Sequence, residues 1–254
     1  MGVAHTPGRP YGWRARIGLL QPGIISDTNP FEFYMMAPEG VQMVLTSLGL
    51  GGMSVANYER ALAGLEGPVE RLLPRKPNAI IQTGIPPLVH AGWGVEAELR
   101  ERVARLTPVP YITDAAGSIA AMKAVGIRRV VVVSAFEDPL PDLIKSYLAH
   151  AKVEMVGHVN AAAGSDLESG ELPLLTVYEA ARSVFEEHAA EADGIWITQA
   201  SMPSAGVIAE LERDLGVPAV SSAQALMWAG LRLAGISDRI DGFGRLFDVP
   251  EFGA

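Results

Sequence analysis

Apolar runs and helix-spaced apolar faces alternate along this chain from one end to the other. Short apolar stretches at residues 16–22, 41–48, 78–84 and 109–113 predict four strands. Four more are predicted at 129–136, 153–159, 194–198 and 217–220. Val130 to Val133 is a run of consecutive valines, which fits a strand buried on both faces. Val55, Tyr58, Leu62, Leu65, Val69 and Leu72 recur at three- and four-residue spacing and predict a helical face. Gly67-Pro68 falls inside that pattern and predicts a kink or two short helices. Similar faces are formed by Leu140 to Leu148, by Ala180 to Phe185 and by Val207 to Leu211.

Strands that alternate with helices predict mostly parallel sheet with helices on both sides. The pattern also hints at a duplication. One half closes on Ile80-Ile-Gln-Thr-Gly84 and the other on Ile195-Trp-Ile-Thr-Gln199. Chains of this class often look repetitive without being symmetric. The expectation is an α/β fold of two similar parallel-sheet α/β domains, related by pseudo-twofold symmetry, with a cleft between them. Residues 1–114, completed by 218–254, form the first half and 115–217 the second. Open parallel sheets bind ligands outside the carboxyl ends of their strands, so those ends are the place to look for a site.

Composition narrows the function. With 254 residues, 49% of them hydrophobic, the chain can bury one large core or two smaller ones. A net charge of -9 argues against nucleic acid, and the basic stretches at 71–76 and 128–129 read as solvated loops. There is no cysteine, which excludes disulfides, thiolate metal sites and thiol nucleophiles. Residues 1–16 lack a signal-like apolar stretch, and no run reaches the roughly 20 apolar residues of a membrane span. A cytoplasmic protein without a membrane partner is expected. No metal-ligand spacing and no glycine-rich dinucleotide fingerprint is present, so no cofactor is expected.

Polar residues at strand ends are the candidates for chemistry. Gln199, Gln82 and Thr83 could hydrogen-bond a substrate carboxylate or carbonyl, or satisfy backbone groups. Ser26, Asp27, Thr28 and Asn29 read as a turn and helix cap before Pro30, yet their place after the first strand also puts them at the cleft. Asp27 and Glu32 are the nearest carboxylates for acid–base work; an exposed capping role is the other reading. His90, on the next helix, is a candidate proton carrier at neutral pH or a surface histidine. His150, His158 and His188 read as structural. Thr113-Asp114 reads as the cap of the following helix, and residues 49–52, Gly-Leu-Gly-Gly, as a candidate lid.

Several stretches carry a family resemblance. Arg16-Ile-Gly-Leu-Leu-Gln-Pro22 followed by Glu32-Phe-Tyr-Met-Met-Ala-Pro38 is similar to the opening of maleate isomerase relatives. Residues 78–84 resemble the strand that ends in that family's first catalytic cysteine, and 193–199 with Met202-Pro-Ser204 the strand carrying the second. Pro110-Tyr-Ile-Thr-Asp114 with Ala116-Gly-Ser118 resembles the lead into the central helix. The chain therefore resembles the aspartate/glutamate racemase superfamily, on its maleate isomerase and arylmalonate decarboxylase side, over roughly residues 13–235.

The resemblance implies a small carboxylic acid held between two α/β domains, with its carboxylate on backbone N–H groups and hydroxyls. It implies a homo-oligomer as well. It also implies cysteine chemistry that this chain cannot perform. The first cysteine position falls on Gly84 or Thr83, the second on Gln199 or Ala200. The decarboxylase also has glycine at the first position. Phe136 stands where relatives often carry tyrosine, Ile85-Pro-Pro87 replaces small hydroxyl residues, and 24–29 replaces a Ser/Asn loop. The expected catalytic set is Gln199, Thr83 and His90. The expected binding set is Gly84, Ile85, Gln82, Ser26, Asp27, Thr28, Asn29, Phe136, Ala200 and Ser201. The expected function is a cysteine-independent decarboxylase or lyase acting on a small carboxylic acid. The alternative is a non-catalytic carboxylate-binding protein on the same scaffold.

Overall fold

The computed structural model describes residues 6–163 and 168–253. The first part of the chain runs β1 (Ala15–Gly23), α1 (Thr28–Met36), β2 (Val41–Leu50), α2 (Val55–Ala63), α3 (Glu66–Leu72), β3 (Ala79–Gln82), α4 (Ile85–Ala91), α5 (Val95–Ala104) and β4 (Tyr111–Thr113). The rest runs α6 (Asp114–Ala124), β5 (Arg129–Ser134), α7 (Leu140–His150), β6 (Glu154–Asn160), α8 (Leu174–Glu187), β7 (Gly194–Ile197), α9 (Ile208–Leu215), β8 (Ala219–Ser221) and α10 (Ser222–Leu233). Short 3-10 turns occupy Leu73–Arg75, Ser169–Glu171, Ala205–Val207 and Arg245–Asp248.

The strands form two four-stranded sheets, both parallel throughout, in the orders β2-β1-β3-β4 and β6-β5-β7-β8. The same order occurs twice. Each of the eight predicted strands is present, most of them shorter at one end than the apolar run.

In each sheet the chain leaves the first central strand toward one edge and the second central strand toward the other. The gaps between β1 and β3 and between β5 and β7 are thus topological switch points, where crevices open. The valine run confirms burial on both faces in detail. Val130 and Val132 pack into the larger core, which joins both sheets, while Val131 and Val133 face a second core under α8 and α9. The period-2 alternation of a strand sends neighbouring valines to opposite cores.

α10 returns from β8 to lie against α6, α1 and β3. It packs closely because Gly230 has no Cβ: one placed there would sit 3.1 Å from Ile81 and 3.2 Å from Ile17. The predicted break in residues 55–72 is real but lies elsewhere. α2 stops at Gly64, and Pro68 sits in the first turn of α3, where its missing N–H leaves no hydrogen bond unmade. α5 was not predicted from the pattern, since Leu99 and Val103 are its only buried residues. No helix among the described residues is long and apolar enough to cross a membrane.

Candidate active site between the two sheets

A cavity of about 340 Å³ lies at the carboxyl ends of the four central strands. β1 delivers Gln21, Pro22 and Gly23, and the turn after β3 delivers Thr83, Gly84 and Ile85. The second sheet contributes Phe136 after β5 and Gln199, Ala200 and Ser201 after β7. Ser26 and Asn29 close one side, and Leu50 and Gly52 of the predicted lid close another with the adjoining Met53. A larger cavity of about 810 Å³ lies between α5, α6 and the C-terminal segment, but it gathers no strand ends.

Two strained backbone positions mark the site. Gly84 has φ 107°, a region L side chains rarely adopt, and a Cβ there would sit 2.5 Å from Pro22 Cγ. Gln199 has φ 85° although it is not glycine. Non-glycine residues are held in that region only where surrounding contacts enforce it. Here the Gln199 Oε1 accepts the Ala135 N–H at 3.0 Å, and its carbonyl accepts the Met202 N–H at 2.8 Å. The Gln199 amide thus ties the end of β7 to the end of β5. Its Nε2 reaches only Ser201 Oγ, at 3.5 Å, and is the underused donor.

Other polar atoms at the cavity lack protein partners. Thr83 is 3% exposed and its Oγ1 has no hydrogen-bond partner; Gln21 is 2% exposed and its Oε1 has none. Both residues line the cavity while these two atoms are enclosed beside it, and since buried polar groups are normally satisfied, each is a hydrogen-bonding group left unused next to the site. Ser169 and Ser201 add hydroxyls 3.2 Å apart.

Behind the Thr83–Gly84 turn lies Asp114, at the start of α6 and fully buried. Its Oδ2 accepts the Gly84 N–H at 3.2 Å and its Oδ1 accepts the Ser118 hydroxyl at 3.2 Å. Burial pushes this carboxyl up to about 6, against the pull of hydrogen bonds from Ser222, Gly84 and Ser118. The sequence reading made Thr113-Asp114 a cap. Thr113 is the cap, accepting the Ala116 N–H at 3.4 Å, while Asp114 points inward.

The structure therefore brings Thr83, Gly84, Ile85, Ser26, Asn29, Phe136, Gln199, Ala200 and Ser201 around one cavity. It places the rest elsewhere. His90 is exposed near the end of α4, beside Tyr58, and does not line the cavity, so the neutral-pH acid–base role has no geometric basis. Asp27 is exposed and its carboxylate accepts the Thr28 N–H at 2.7 Å, which is the capping role. Thr28 is buried beside it with its hydroxyl on the same carboxylate. Gln82 is fully buried behind Thr83 and accepts the Tyr111 hydroxyl at 2.5 Å. Glu32 is not an exposed cap: it is buried and accepts the Ser204 and Ala205 N–H groups. His158 is structural, with Nε2 2.9 Å from Ser134 Oγ.

Sequence reasoning missed Gln21, although a glutamine ending an otherwise apolar strand was a readable signal. Asp114 and Ser169 gave none. Among the described residues no Asp, Glu, His, Lys or Arg lines the cavity.

The Gly84 geometry gives a direct expectation. Putting cysteine there should cost about 2 kcal/mol, because the side chain meets a rigid proline ring at an unfavourable φ. Urea denaturation of Gly84→Cys beside the parent reads this. Unchanged stability would show that the turn rearranges freely.

Comparison with known proteins agrees with this architecture. A family profile described as arylmalonate decarboxylase matches residues 17–247. Arylmalonate decarboxylase of Bordetella bronchiseptica is 26% identical over 236 residues, covering 91% of this chain and 96% of that protein. Maleate isomerase of Nocardia farcinica is 25% identical over 231 residues, covering 89% and 88%. The crystal structure of an arylmalonate decarboxylase superposes with a TM-score of 0.80 at 25% identity, over 92% of this chain and 99% of that one. Maleate isomerase from Pseudomonas putida shares the fold, with a TM-score of 0.80 at 20% identity over 92% and 98%. With its two equivalent sheets, its cavity at the central strand ends and a family match across nearly its whole length, the chain belongs to the arylmalonate decarboxylase family.

Proposed function

We propose that this protein is a cysteine-independent decarboxylase or related lyase acting on a small carboxylic acid bound between the two sheets. The observation that carries the reading is the cavity lining. It has neutral hydrogen-bond donors at Thr83, Gln199 and Ser201 and apolar walls at Ile85, Pro86, Pro87 and Phe136, with no ionisable side chain among the described residues.

Loss of CO2 is the family's reaction that least needs such a side chain. The bond to the leaving carboxylate breaks, and its electron pair moves toward a neighbouring carbonyl oxygen. Neutral donors aimed at that oxygen stabilise the developing charge. No base removes a proton in this step. Water then protonates the carbon. Racemisation and cis–trans isomerisation by a thiol are excluded by composition.

The test is the turnover of small carboxylic acids, including substituted malonates and maleate, followed by NMR. Thr83→Val and Gln199→Ala are each expected to lower kcat about 100-fold, the usual scale for one lost oxyanion donor. His90→Ala is expected to leave kcat unchanged. A large loss with His90→Ala would restore it as the proton carrier.

The second reading, a non-catalytic carboxylate binder, is favoured by the same missing proton donor. It predicts thermal stabilisation by an acid with no product formed.

A further inference from the structure

The larger cavity, about 810 Å³, lies away from the strand ends and has a chemistry of its own. Its floor is apolar, made by Ala97 of α5 with Ala116, Ile119 and Ala120 of α6. One wall is aromatic. Trp93 stacks on His150 with ring centres 5.7 Å apart and meets Tyr147 of α7 edge-on at 5.1 Å. These contacts fix the Trp93 ring, yet 51% of the residue stays exposed.

Charged groups of both signs line the same cavity without pairing. Glu96 and Arg100 stand one turn apart on α5, the spacing of a helical ion pair, yet none forms. Glu96 Oε1 accepts the Thr113 and Tyr147 hydroxyls, while its Oε2 has no hydrogen bond among the described residues. Arg100 and Lys123 make no hydrogen bond or ion pair among the described residues. Glu251 of the C-terminal segment brings the lining to two carboxylates and two cations. Burial raises the Glu96 pKa, against the pull of the Thr113 hydroxyl and the Arg100 charge. A cation brought to the open Oε2 would offset that cost.

The signs are also separated along the cavity. Thr113 holds Glu96 at the amino end of α6, and Lys123 stands in the last turn of that helix, roughly 14 Å further along its axis. A simple amine would leave Arg100 and Lys123 unpaired. A simple acid would face Glu96. A zwitterion with well-separated ends satisfies both. Two or three extended residues span roughly 7–11 Å, and the long Arg100 and Lys123 side chains cover the remainder. We infer that this cavity binds a short peptide of two or three residues with free ends. Its ammonium lies on Glu96, its carboxylate between Arg100 and Lys123, and its apolar side chains on the alanine floor and the Trp93 ring. The inference is independent of the decarboxylase reading.

The experiment titrates alanyl-leucyl-alanine, its N-acetyl form and its C-terminal amide into the full chain at pH 7, read by calorimetry. The free peptide is expected to bind, and each blocked form to bind about tenfold more weakly, the scale of one lost charge-assisted hydrogen bond. Glu96→Gln should weaken the free peptide about tenfold and cease to discriminate against the acetylated form. Arg100→Ala/Lys123→Ala should weaken it similarly and cease to discriminate against the amide. This second variant removes two exposed side chains without partners, so it is expected to keep the parent's melting temperature. No saturable binding of the free peptide would overturn the inference. So would equal affinity for all three peptides. Binding that neither variant weakens would place the peptide elsewhere and overturn it too.

Discussion

Replacing Glu32 with alanine is expected to lower the unfolding free energy by about 4 kcal/mol. Glu32 sits on α1, beside the first sheet, and is 3% exposed. Its Oε1 accepts the Ser204 N–H at 2.5 Å and the Ala205 N–H at 2.8 Å, and its Oε2 accepts the Ser204 hydroxyl at 3.3 Å. Those partners lie just past β7, in the second sheet's part of the chain. One carboxylate thus joins segments 172 residues apart. Burial raises its pKa, and the three hydrogen bonds pull it back.

Alanine would strand two buried N–H groups, at roughly 1–3 kcal/mol each, and leave a small void. Glu32→Gln keeps one oxygen for both N–H groups and offers its amide to the Ser204 hydroxyl. It should cost only about 1 kcal/mol. The contrast between the two variants in urea denaturation is the check. Equal losses would mean that the volume of the side chain matters and its hydrogen bonds do not. The turn it fixes begins three residues after Ser201, so loosening it should also disturb the cavity.

The second large effect is a pH dependence centred on Asp114. Burial holds its folded pKa at about 6, above the ordinary aspartate value of 3.8. Between those values the folded state binds this proton more tightly than the unfolded chain does. The stabilising contribution is complete below about pH 4 and is lost as pH rises through about 6. Two pKa units at 1.36 kcal/mol each give a change of about 3 kcal/mol. Asparagine carries no such proton. It can still present its oxygen to the Gly84 N–H and its amide to the Ser118 hydroxyl. Asp114→Asn should therefore gain about 3 kcal/mol relative to the parent between pH 4 and pH 7. Parallel denaturation series at several pH values read this. A pH-independent difference would mean that Asp114 titrates normally.

What the sequence could reveal follows from the range of each interaction. Strands at 129–134 and 194–197 were legible because burial on both faces writes an unbroken apolar run. Their carboxyl ends were legible as a cleft because switch points follow from strand order. Strand limits were less so: the stretch 78–84 was read as one strand, but the ladder stops at Gln82, before the turn at Gly84 with φ 107°.

Roles set by distant partners were not legible at all. Glu32 looks like a helix-start carboxylate until Ser204 is placed against it. Asp114 looks like a cap until Gly84 and Ser222 are packed over it. His90 had the right chemistry and local position, but the helix turns it to the exposed side. Conversely, the prolines at 86 and 87 read as a departure from a pattern. Only the placement of the α4 N-terminus against the cavity shows that they remove donors from it.

In the function we propose, this thiol-free cleft removes CO2 from a small carboxylic acid with water as the proton source. A proton NMR time course of the purified protein in deuterated water with a substituted malonate or related small carboxylic acid tests this directly. The substrate is expected to disappear at a rate well above the protein-free control, with one solvent deuteron placed on the α-carbon of the decarboxylated product. A rate equal to that control across a panel of such acids and substituted malonates, despite binding, would contradict it.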